Sequence, residues 1–118
     1  MAVEQDIIAA VGPLVGGRLF PDVAPPGTQE PYATFQQIGG QSLAFLESKL
    51  PDLANGRFQL NVWSRHRSEA STIARQIERV MVESPVLRAE ALGGLMARYE
   101  SATQQYGAQQ DFSIWFRT

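Results

Sequence analysis

One histidine, no cysteine and three glycine pairs limit the chemistry this chain could carry out. His66 stands in the run Ser64-Arg65-His66-Arg67, so a nucleophilic triad would have to use this one imidazole as its base. A site of several histidines cannot exist within one chain, and thiolate metal ligands and disulfides are excluded. The expected place of His66 is a solvated turn. Gly16-Gly17, Gly39-Gly40 and Gly93-Gly94 match neither the phosphate-binding loop nor the dinucleotide fingerprint. Asp111 and Glu100 could pair with Arg57 or Arg98, which is ordinary charge pairing across a sheet. Arg57, Arg65 and Arg67 near Trp63 are the one hint of a nucleic-acid surface. A formal charge of −2 gives no bulk attraction to nucleic acid or anionic membrane. No catalytic, metal or cofactor residue is nominated. Binding is left.

Those residues need elements to hold them, and the clearest lie between 57 and 83. Phe58, Leu60 and Val62 alternate with Arg57, Gln59, Asn61 and Trp63, the two-residue period of a strand with one face on a core. After Ser64 the period changes: Ala70, Ile73, Ala74, Ile77, Val80 and Met81 fall at helical spacing. Ser68 is the expected N-cap, Glu69 suits the positive end of the helix dipole, and Pro85 stops the helix near Ser84.

Before this unit, Val3, Ile7, Ala10, Val11 and Leu14 make a helical stripe that Pro13 shortens or kinks. Four of the seven prolines fall in 21–31, predicting a stiff extended connection. Residues 32–41 read as a strand whose phase is ambiguous, because both sides carry an aromatic. Residues 42–56 form a connection far longer than most hairpin loops, closing on the turn signal Asn55-Gly56. Leu43, Phe45, Leu46, Leu50 and Leu53 make it too apolar for an idle loop; it folds back on the sheet or meets a partner. After a short connector at 87–94, residues 95–105 and 110–117 form a second hairpin turning at Tyr106-Gly107.

A chain of 118 residues holds one domain and one core. The fold expected is α+β, a mainly antiparallel four-stranded sheet with two helices on one face, in the order α-β-β-α-β-β. Phe112, Ile114 and Phe116 then join Phe58, Leu60 and Val62 on the core side. Trp63 and Trp115 lie on the uncovered side with Arg57 and Arg117 at its rim, which marks a partner surface unless the long loop covers it. Phe45, Leu46, Leu50 and Leu53 form the second candidate contact. No apolar run approaches the ~20 residues needed to span a bilayer, and the start MAVEQDII is unlike a signal peptide. A soluble, non-exported protein is expected.

Three stretches carry a family resemblance. They are Leu19-Phe20-Pro21-Asp22-Val23-Ala24-Pro25 running on to Pro31-Tyr32, the strand Leu60-Asn61-Val62-Trp63 entering its helix, and the tail. The tail runs Tyr99-Glu100-Ser101-Ala102-Thr103-Gln104-Gln105-Tyr106, then Asp111-Phe112-Ser113-Ile114-Trp115. In order and spacing they resemble the tail-completion (tail-terminator) proteins of long-tailed bacteriophages and prophages, over nearly the whole chain. Members often carry aspartate where this chain has Asn61 and Glu100. The resemblance implies a structural ring subunit, commonly a hexamer, at the head-proximal end of the tail tube, where it stops tube growth and docks the head connector. The implied partners are tail tube protein, head-connector protein and further copies of itself. The implied places are the bacterial host cytoplasm during assembly and then the virion tail. A protein- or nucleic-acid-binding module without catalysis is the alternative.

Overall fold

The alternation at 57–63 forms the middle of a long strand, and the rest of the sheet is laid out on either side of it. The computed structural model of the chain describes residues 2–42 and 52–118. The elements are α1 (Ala2–Val11), a 3-10 turn (Gly12–Val15), β1 (Leu19–Pro21), β2 (Tyr32–Gln37), β3 (Leu53–Ser64), α2 (Arg67–Glu83), β4 (Glu90–Glu100) and β5 (Gln105–Arg117). The sheet order is β1-β2-β3-β5-β4. All pairings are antiparallel except β1 on β2.

The α+β class holds, but the sheet is five-stranded and mixed rather than four-stranded. The added strand is β1, in and before the proline-rich stretch expected to be connection only. Three residues are too few to show a period. They are nevertheless fixed by Ala33 N–H donating to Arg18 O and Asp22 N–H donating to Phe35 O, each at 2.9 Å. Leu19 is buried on the core side beside Ala33. Pro21 is tolerated because it stands at the sheet edge, where no ladder partner needs its missing N–H. Pro13 shortens the first helix as expected, the backbone passing from α-helix into the 3-10 turn around it.

One core fills the space between the sheet and the helices. Val3, Ile7 and Val11 of α1 and Ala70, Ile73, Ala74, Ile77 and Met81 of α2 meet Phe35, Phe58, Leu60, Val62, Phe112 and Ile114. Each large side chain so buried contributes about 1.5–3 kcal/mol of transfer free energy. The register of β3 on β5 sets Phe58 against Phe112 and Gly56 against Ile114, so their residues of one parity share the core side. Phe35 beside Leu60 settles the phase of β2: Ala33 and Phe35 face the core, Tyr32, Thr34 and Gln36 the other way.

Three local expectations fail. Asn55-Gly56 is not a turn but part of β3, with Asn55 buried. The second hairpin turns at 101–104, not at Tyr106-Gly107, and β4 begins at Glu90 within the expected connector. Ser68 does not cap α2. His66 is the N-cap without a side-chain bond, and Ser64 does the local work, accepting from His66 N–H at 3.1 Å and donating to the Glu69 carboxylate. A register shift between Leu92 and Met96 places two extra residues of β4 against β5. Gly93 sits there with φ +85°, a conformation few other residues adopt.

Candidate functional site

The molecule is 52 Å long and 27 by 25 Å across; among its exposed large hydrophobic residues Leu53, Val86 and Trp115 lie towards one end of the sheet and Tyr99 towards the other, while Ile8, Val23 and Val82 lie outside it. Trp63 and Trp115 share the face away from the helices, as expected. They do not form one patch. Trp63 lies opposite Gly107 and Trp115 opposite Asn55, eight residues further along β5. At ~3.4 Å per residue that is about 27 Å.

The face between them is polar. Arg57 donates to Asp111 Oδ2 through Nε at 2.9 Å and Nη2 at 2.8 Å, pairing across β3 and β5. Arg57 is therefore engaged within the sheet, while Arg117 stands exposed at the far end. Arg65 pairs with Glu30 at 3.0 Å, and the Arg67 guanidinium lies 5.3 Å from the Tyr106 ring centre. These three arginines thus point to separate partners. They form no basic stripe around Trp63.

One end is where the chain enters and leaves 43–51. Ile38 N–H donates to Arg57 O, Arg57 N–H to Gly39 O, and Gln41 N–H to Asn55 Oδ1 at 2.9 Å. Asn55 in turn donates to Ser113 Oγ at 2.8 Å. On the return side Thr118 N–H donates to Asp52 O at 2.8 Å. Both stems are pinned to the sheet. Of the predicted contact loop, Leu53 is 40% exposed at the start of β3, while Phe45, Leu46 and Leu50 lie outside the described residues. Leu53, Trp115 and Arg117 line a groove of about 370 Å³ with the start of α1 and the segment after α2.

The other end is the turn of the β4–β5 hairpin. The rings of Tyr99 and Tyr106 meet at a tilt of 50° with centres 4.9 Å apart. Arg98 lies 6.0 Å from the Trp63 ring centre and donates to Gln109 Oε1 at 2.7 Å. Tyr32 Oη donates to Gln105 Oε1 at 3.1 Å. Tyrosine, tryptophan and arginine are the residue types that anchor interfaces. Reading the sequence set Arg98 and Tyr99 within a strand, Arg98 only as a charge partner across the sheet, and Tyr106 in the turn, and so nominated none of the three as a contact.

Neither end is arranged for catalysis. The buried Ser64 hydroxyl is engaged by Glu69 and by the backbone of His66, not by an imidazole. Among the described residues no three metal-ligand side chains cluster. No described helix is long and apolar enough to cross a membrane.

Comparison with known proteins gives the context for this geometry. None of the curated proteins matches the chain. A solved chain from a structure described as the virion of native gene transfer agent (GTA) particle is 17% identical, with a TM-score of 0.68. The match covers 98% of this chain and 92% of that one, and at this identity it shows the shared fold. The family described as tail completion protein gp17 matches residues 7–117. That span runs from α1 to the last residue of β5, so the chain belongs to the tail completion protein gp17 family and is a structural protein of phage-type virion tails, not an enzyme.

Proposed function

We propose that this chain forms a ring at the head-proximal end of a phage or prophage tail tube, ends tube growth there and docks the tail to the head connector. Membership of the tail-completion family over residues 7–117 is the observation that carries this reading. Tail tube protein, head-connector protein and further copies of the chain are its partners, in a ring of six. It assembles in the host cytoplasm. The isolated subunit is mainly monomeric, because a terminator that closed rings freely would do so before meeting a finished tube. A net charge of −2 is too small to keep subunits apart by repulsion, so weak contact surfaces, not charge, must set this threshold.

The contacts are assigned to the face bearing Trp63, Trp115, Arg57 and Arg117, and to the segment with Phe45, Leu46, Leu50 and Leu53. Within that set the geometry favours the loop end. Arg57 is held by Asp111 and Trp63 is half-buried, whereas Trp115, Leu53 and Arg117 are exposed together. Phage complementation with Trp115→Ala and Phe45→Glu, each first checked for an intact fold, is the test. Folded variants should leave tails overlong or unattached to heads. Normal tails and full infectivity with folded Phe45→Glu would remove that segment from the contact. Absence of the protein from virions with complete tails would remove the reading itself.

A further inference from the structure

Asn55 and Gly56 are each fixed by a separate demand of the fold. Asn55 is 7% exposed and makes three bonds: it accepts from Gln41 N–H, and its Nδ2 donates to Ser113 Oγ at 2.8 Å and to Ile114 O at 3.4 Å. Gly56 leaves space that a Cβ would fill, since one would stand 2.6 Å from Phe58 Cε2. Packing thus imposes asparagine followed by glycine. In that pair the asparagine side chain is most open to attack by the next backbone nitrogen, because glycine has no side chain to hinder it. The chain's other asparagine, Asn61, is followed by the branched Val62. In the fold the labile pair is closed. Both residues belong to β3 and pair with Trp115 and Ile114 of β5, and the attack needs a ψ at Asn55 outside the extended range of a strand.

We propose that Asn55 is a deamidation site which the folded strand keeps shut, and which opens when the start of β3 leaves the sheet. Once freed, the Gly56 nitrogen gives its proton to water and attacks Asn55 Cγ. A C–N bond forms, the Cγ–Nδ2 bond breaks, and the side-chain nitrogen takes a proton from water and leaves as ammonia. Water then opens the cyclic imide at either carbonyl, giving aspartate or isoaspartate; nothing is oxidised or reduced. Neither product fits back. A carboxylate can accept from Gln41 N–H but has no proton for Ser113 Oγ or Ile114 O. It also brings a charge to a nearly buried position, where Arg57, two residues on, is already held by Asp111. Isoaspartate lengthens the main chain by one carbon and so breaks the β3–β5 register at that point. Opening of this strand therefore leaves a permanent chemical mark on the subunit.

Peptide mapping by mass spectrometry tests this on the purified full chain, kept in mildly alkaline buffer with and without urea. Deamidation at Asn55 should run at least about tenfold slower in the folded chain than in the unfolded one, since only the locally open fraction reacts. Asn61 should react far more slowly than Asn55 in the unfolded chain. The folded-state rate at Asn55 should rise in urea below the unfolding transition. Ser113→Ala, which takes away the acceptor of Asn55 Nδ2, should raise that rate several-fold without urea. The Asn55→Asp chain should unfold at lower denaturant than the unaltered one. Equal rates in the folded and unfolded chain overturn the proposal. So does a folded-state rate that urea leaves unchanged, a measurement that needs no variant to fold. An Asn55→Asp chain as stable as the unaltered one would overturn the claim that the aspartate product does not fit back.

Discussion

The indole of Trp63 lies on Gly107 across the β3–β5 ladder, so closely that a Cβ at 107 would stand 2.7 Å from Cζ3 and 2.9 Å from Cε3. The ring occupies the space a side chain would need, and Arg98 lies beside the same ring. Gly107→Ala should therefore destabilise the fold by about 1–3 kcal/mol through overpacking. In the Trp63→Ala background the same change should be nearly neutral. Thermal unfolding of the four proteins gives the coupling; additive losses would show that the indole is free to move aside.

Leu60 and Ile77 face each other's layers from β3 and α2, each 2% exposed. Leu60→Ala and Ile77→Ala should each lower stability by about 2–5 kcal/mol, transfer and cavity terms together. Chemical denaturation measures this, and a loss under roughly 0.5 kcal/mol at both sites would place them outside the core.

Asn55 ties the outgoing stem to the sheet, accepting from Gln41 N–H and donating to Ser113 Oγ and, at 3.4 Å, to Ile114 O. Asn55→Leu removes all three bonds and should cost about 1–3 kcal/mol, the penalty of buried groups left without partners. Hydrogen exchange should quicken at Gln41 while the amides of α2 stay protected under native conditions. Unchanged exchange at Gln41 would show that its hydrogen bond to Asn55 is not what protects it.

The Arg57–Asp111 pair is lopsided. The Arg57 side chain is 47% exposed and that of Asp111 14%, with Asp111 Oδ1 buried and unpartnered. Arg57→Ala strands a largely covered carboxylate and should cost about 1–3 kcal/mol. Asp111→Asn leaves an arginine that water can solvate and should cost under about 1 kcal/mol. Equal losses in chemical denaturation would contradict this asymmetry.

Periodicity made the core legible in the sequence. Phe58, Leu60, Val62, Phe112 and Ile114 all stand where alternation put them, and α2 buries the stripe its spacing defined. What misled was glycine and asparagine chemistry. Asn55-Gly56 and Tyr106-Gly107 look like turns, because the usual reason for glycine is backbone freedom. Here the reason is space: Gly56 has Phe58 Cε2 at 2.6 Å and Phe116 Cε1 at 3.2 Å from where its Cβ would be, as Gly107 has Trp63. Phe58 is a same-strand neighbour of Gly56, but only the folded cross-strand register brings Phe116 towards Gly56 and Trp63 over Gly107, and local sequence does not contain it. The same holds for the two ends. Trp115, Val86 and Asp6 belong to three segments that meet only through the sheet order.

The two extra residues between Leu92 and Met96 bear on a hazard any such subunit faces. β4 is an outermost strand of 11 residues, and an outermost strand offers a row of free amides and carbonyls on which foreign strands can crystallise. Unchecked, that growth has no natural count. It yields fibres or precipitate. The irregularity at Gly93 interrupts the row near its middle, and Gln110 Nε2 holds it by donating to Gly93 O at 3.0 Å. Regular stretches too short to nucleate a stack remain on either side. The chain's solubility is thus safeguarded by a kink in its outermost strand.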